Sequence, residues 1–146
     1  MPAMGYSVSD LIQRGQQALD DCEPALAKKF FEKALEQEPG SAEIYEHLGA
    51  IALEMLRTSS TEEERFEMTM DAMSFYSKSI QLSPDSGYEK YLVLAQLSHG
   101  QEALDLYKKG ASLIEEKMSG VSNLKPDDLL YRIRYWFEST PLLCAP

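Results

Sequence analysis

Glu43, Glu46, Ala50 and Glu54 follow one another at steps of three, four and four, so a helix through them lines three carboxylates along one ridge. Such a ridge suits an extended lysine- and arginine-rich segment: charge steers the encounter, and apolar contacts supply the affinity. Solvation of a polar helix face explains the same spacing equally well. The acidic run from Glu62 to Glu67 reads as a solvated helix start rather than a second site for a basic ligand. Other chemistry finds no footing. His47 and His99 stand near no cysteine or second histidine at ligand spacing, and Cys22 and Cys144 share neither a metal nor a redox spacing. There is no glycine-rich phosphate loop, no G-x-S-x-G, no H-E-x-x-H and no cysteine with a histidine partner. The expectation is a binding protein, not an enzyme, with no metal and no cofactor.

The elements that must position these residues are written as a repeat. Ala27, Phe31, Ala34 and Pro39 recur as Ala72, Tyr76, Ser79 and Pro84, and Ala103, Tyr107 and Gly110 form a third copy without the proline. Offsets of four and seven share one helix face, and the proline stands where a helix must stop. Gly15 lies mid-helix, where it is about 1 kcal/mol worse than alanine, so a partner helix is expected to approach it closely. Gly49 repeats it thirty-four residues later, yet the prolines Pro39 and Pro84 are 45 residues apart, eleven more than that period. The insert contains Thr61 and Glu64 in capping-box register, so the extra residues are expected to lengthen a helix backward, as one rod from about Glu62 to Leu82. Eleven helical residues project ~16 Å, and a stripe of Phe66, Met70, Met73, Tyr76 and Ile80 along the rod should touch something. Met68, Met70 and Met73 read as packing for it.

The remaining helices are expected to start near Ser7 or Ser9, at Pro24, at Ser41, at Tyr88, after Gly100 with Leu104, Tyr107, Ala111, Ile114 and Met118 inward, and at Pro126. The expected organisation is a tail (1–6), a repeat domain (7–119, with repeats of about 8–41, 42–86 and 87–119), a linker (120–126) and a C-terminal helix and tail (127–146). Net charge is −10 over 146 residues, and residues 1–70 hold fourteen acids against six bases. That disfavours nucleic acid and favours a basic partner, although acidity also serves solubility. No apolar run reaches the ~20 residues of a membrane span, and no basic stretch followed by an apolar run opens the chain. A cytoplasmic and nuclear location is expected.

The period, the mid-helix glycine and the alanine–aromatic–small–proline series resemble the tetratricopeptide repeat. That resemblance implies an all-α, right-handed superhelix of helix-turn-helix repeats, about three of them plus a C-terminal helix. Residues 87–100 (GYEKYLVLAQLSHG), followed by Gln101, Glu102, Ala103 and Leu104 and the Tyr107–Gly110 end, resemble a narrower group. These are the fungal assembly chaperones dedicated to protein four of the large ribosomal subunit. That group implies a basic partner, the long internal loop of a ribosomal protein held until it reaches the pre-ribosome. Its members continue through further repeats, whereas this sequence runs through Arg132, Arg134 and Trp136 to Pro146, so a shortened array is expected.

In tetratricopeptide arrays the first helix of each pair lines a concave groove. By that resemblance the groove residues are Gln13, Gln16 and Asp20 in repeat one, and Glu43, Glu46, His47, Ala50 and Glu54 in repeat two. Tyr88 and Tyr91 stand at its floor or in the core. A heat-shock co-chaperone fits less well, because the positions that would clamp a carboxylate hold Ile12, Gln16, Glu46 and Ala50, none of them basic. A general adaptor, or a scaffold self-associating through Trp136 and Phe137, remains open beside a monomeric chaperone.

Overall fold

Ser7 starts the first helix by a reciprocal cap. Its hydroxyl accepts the Asp10 N–H (3.1 Å), and its own N–H donates to the Asp10 carboxylate (3.3 Å). The helix, α1 (Val8–Asp20), ends in a Schellman turn: Cys22 N–H bonds Leu19 C=O (3.0 Å) and Glu23 N–H bonds Ala18 C=O (2.8 Å). The turn requires a left-handed residue, and Cys22 supplies it at φ 61°. Pro24 then opens α2 (Pro24–Gln37), with α3 (Ala42–Thr58) following behind the Ser41 cap. The computed structural model describes residues 5–119, and among them all the regular structure is helical. The linker and C-terminal helix expected beyond lie outside those residues.

The rod expected from the insert is present as α4 (Glu62–Leu82), capped by Thr61 through the Glu64 N–H (3.2 Å). Its cap departs from a capping box in one respect. The Glu64 carboxylate reaches past Thr61 to the N–H of Ser60 (3.2 Å). The stripe along the rod departs too. Ala72, Tyr76 and Ser79 are buried, whereas Phe66 and Met70 are exposed. Six residues at 3.6 per turn rotate Phe66 about 120° away from Ala72, so an apolar pattern read along the chain drifts off the packed face.

The chain divides into two compact units, Met1–Pro84 and Asp85–Pro146. In the first, one core joins both helix pairs, built on Leu11, Ala18, Ala27, Phe31, Ile44 and Leu48. The mid-helix glycines explain how the pairs close. A Cβ on Gly15 would lie 2.6 Å from the Phe31 ring, and one on Gly49 would lie 2.6 Å from the Tyr76 ring. His47 of α3 stacks on Phe31 of α2 with ring centroids 4.7 Å apart, tying one pair to the next.

In the second unit α5 (Glu89–Leu97) is buried all along Lys90–Ala95 and packs on α6 (Gly100–Ser119). Here the glycine sits on the second helix, where a Cβ on Gly110 would meet Leu92 at 2.9 Å. Gly110, Leu113 and Ile114 form the buried line of α6, and Leu104, expected inward, is 45% exposed.

Candidate functional site: the exposed face of α1 and α3

Gln13, Gln16 and Asp20 are exposed on α1, opposite the Leu11, Gly15 and Ala18 line that holds the helix in the core. On α3 the ridge is not uniform. Glu43 and Ala50 are exposed, and the Glu43 carboxylate lies 3.7 Å from His47 Nε2. Glu54 pairs with Arg57 along the same helix. Glu46 turns inward instead and accepts a hydrogen bond from the Ser79 hydroxyl of α4 at 2.8 Å. Ser79 is wholly buried, so Glu46 satisfies a donor that would otherwise be stranded. Burial, with the Glu46 charge adding to it, pushes the neighbouring Tyr76 phenol well above its ordinary pKa.

Of the ridge residues, Glu46 is therefore engaged in joining α3 to α4, and His47 is half-covered by its stack on Phe31. Asp20, Glu43 and Glu54 keep carboxylates at the surface. The Glu46–Ser79 bond went unread in the sequence, yet a signal existed. Glu46 stands thirty-four residues after Ile12, and Ser79 forty-five after Ala34, each the offset that relates the two repeats. Both positions change from apolar to polar together.

In the second unit Tyr88 is half-buried, with the Lys117 ammonium 5.6 Å from its ring centroid. Tyr91 is 4% exposed, and burial pushes its phenol up against the opposing pull of Lys109. Its ring is a core group, which corrects its placement at a groove floor. Lys109 and Asp85 pair at 3.2 Å beside it, and that hydrogen bond holds the ammonium above its usual range. Lys90, deep in α5, is buried at 1% exposure, a position its charge would not have suggested. Among the described residues no group of three or more His, Cys, Asp or Glu side chains is placed to hold a metal, and no helix is long and apolar enough to cross a membrane.

Antiparallel helix pairs locked by a glycine beneath an aromatic ring, strung along one core, define a helical-repeat protein of the tetratricopeptide type. The chain resembles the probable assembly chaperone of rpl4 from Schizosaccharomyces pombe, with 37% identity over 91 residues, 62% of this chain and 24% of that relative. It thus spans about a quarter of the curated relative it matches. Among solved structures it superposes on the assembly chaperone of RpL4, Acl4 (residues 1–338), with a TM-score of 0.66 and 18% identity, covering 88% of this chain and 48% of that one. It also superposes on MamA with a TM-score of 0.51 and 19% identity, covering 93% and 70%. At those identities the two structures speak to the fold. No protein-family model matches the chain.

Proposed function

We propose that this chain is a protein-binding module that chaperones a basic ribosomal protein, large-subunit protein four, during ribosome assembly. The observation that carries the reading is the 37% identity to a probable rpl4 assembly chaperone. The client segment is its long, basic internal loop, held by a monomer in the cytoplasm and nucleus, and no catalysis is involved. The loop lies along α1 and α3. Asp20 and Glu43 meet its lysines and arginines, Glu54 exchanges Arg57 for a client cation, and Gln13, Gln16 and Ala50 leave room for its backbone. Glu46 and His47 act from behind, holding α3 in place, so their substitution disturbs the surface without removing a client contact.

Calorimetric titration with that loop, at low and at physiological salt, tests the reading. Saturable one-to-one binding that weakens with salt is expected, since exposed charges are screened over ~8 Å at physiological ionic strength. Charge reversal of Asp20 and Glu43 should weaken it by about tenfold, within the range of paired interfacial charges. No heat from a helical, monomeric chain would overturn the proposal, and so would binding indifferent to both salt and charge reversal.

A further inference from the structure

The first half of α4 carries a second surface, on a different helix from the α1–α3 face. Phe66 is 70% exposed and Met70 50% exposed, one helical turn apart. Glu62, Glu63 and Glu67 are all exposed; by helical spacing Glu62 and Glu63 lie within about 60° of Phe66, while Glu67 and the exposed Arg65 stand about 100° to either side of it. None of the three carboxylates forms an ion pair among the described residues. The opposite side of this segment is already used: Met68 and Asp71 line the packing seam with Leu48, Ala52 and Met55 of α3. The helix therefore has one face committed to its own repeat, and one bearing two large apolar side chains inside a carboxylate frame.

The chemistry of the frame selects the occupant. A second copy would bring the same three carboxylates against themselves, on a chain of net charge −10. A nucleic acid or an anionic membrane would be repelled in the same way. A helix with apolar residues on one side and lysines or arginines flanking them is complementary in both respects, and two anchors four residues apart match the contact line of a crossing helix. We propose that the Phe66–Met70 face of α4 is a docking surface for a basic amphipathic helix of a partner protein. Apolar side chains of that helix cover Phe66 and Met70, and its cations reach Glu62, Glu63 and Glu67. The inference stands whether or not the α1–α3 face holds a ribosomal client.

The test uses the full chain labelled with 13C at its methionine methyls, and a leucine–lysine amphipathic peptide of about fourteen residues, roughly four helical turns. The Met70 resonance is expected to shift on titration while Met55 stays in place. Phe66→Ser with Met70→Ser should weaken binding about tenfold or more, as loss of central anchors does. The triple reversal Glu62→Lys, Glu63→Lys and Glu67→Lys should do the same, whereas Glu36→Lys with Glu102→Lys, at exposed positions of α2 and α6, should leave this affinity unchanged. Absence of binding would overturn the proposal, as would affinity that ignores the Phe66 and Met70 substitutions. So would equal affinity for a leucine–glutamate peptide. A fall of several degrees in Tm for Phe66→Ser alone would show the ring to be a core group of the chain, which also overturns it.

Discussion

In the α1–α2 pair the Phe31 ring lies over Gly15, and in the α3–α4 pair the Tyr76 ring lies over Gly49, with the same 2.6 Å clearance for an added Cβ. Around this shared contact the pairs diverge. Ile12 and Ala34 of the first correspond to Glu46 and Ser79 of the second, where a buried hydroxyl and a half-buried carboxylate bond each other. The first pair has a second helix of 14 residues, and the second has one of 21, extended past its partner by the insert. A repeat thus conserves the contact that sets the distance between its helices, and tolerates exchange of the groups around it as long as they change in complementary pairs. The third pair, α5–α6, reverses even the lock, with its glycine on the second helix beneath Leu92.

The largest expected effect comes from removing the ring. Phe31→Ala should destabilise the chain by about 3–5 kcal/mol, as large-to-alanine core substitutions do. It also removes the surface on which His47 stacks, so it should exceed Tyr76→Ala in urea denaturation. Equal losses would mean that the tie between pairs adds nothing. Filling the glycine comes next. Gly15→Ala and Gly49→Ala should each destabilise by about 1–3 kcal/mol through overpacking, despite the helix propensity that alanine brings. A stabilised variant at either position would break the equivalence of the two locks.

The polar exchange can be undone by a double-mutant cycle. Glu46→Ile alone strands the Ser79 hydroxyl and should destabilise by about 1–3 kcal/mol, whereas Glu46→Ile with Ser79→Ala recreates the apolar arrangement of the first pair and should recover most of the loss. Additive losses would show that the two positions are not coupled. At Cys22, in the left-handed position of the α1–α2 turn, glycine should stabilise by about 1 kcal/mol, measured as a rise in Tm.

The smallest effect is at the first cap. Hydrogen bonds from the Ser7 side chain and backbone hold the Asp10 carboxyl below its ordinary range. Its folded value is the depressed one, so the contribution of the cap is complete above the ordinary aspartate pKa and is lost as pH falls through the folded value. Fully exposed, it should act locally. Amide shifts of residues 7–10 should report the transition without global unfolding, and Asp10→Asn should abolish the titration.

The repeat was legible because its signals are local. Gly15, Gly49, Phe31 and Tyr76 each carry their reason in residue type and spacing, and the rod of α4 follows from Thr61, its first acids and an uninterrupted helical period. The candidate face was legible only in part. Spacing placed Glu43, Glu46 and Glu54 on one ridge, yet it could not tell that Glu46 would find a hydroxyl across the helix boundary while Glu43 stayed in solvent. Tyr91 and Leu104 show the same limit. Both are apolar enough for a core, and the first is buried while the second is 45% exposed.

The sequence by itself determined the helices of the described residues, their order, the closeness of the first two pairs and the acidity of the first half. These depend on periodicity, on caps, on a missing Cβ and on composition, all carried by neighbours along the chain. The tertiary structure alone decided which polar groups turn inward, which tyrosine is core, and that Phe66 and Met70 stand uncovered among carboxylates. Those outcomes depend on what another helix places opposite a side chain, and a helical period repeats a direction without naming what lies in it.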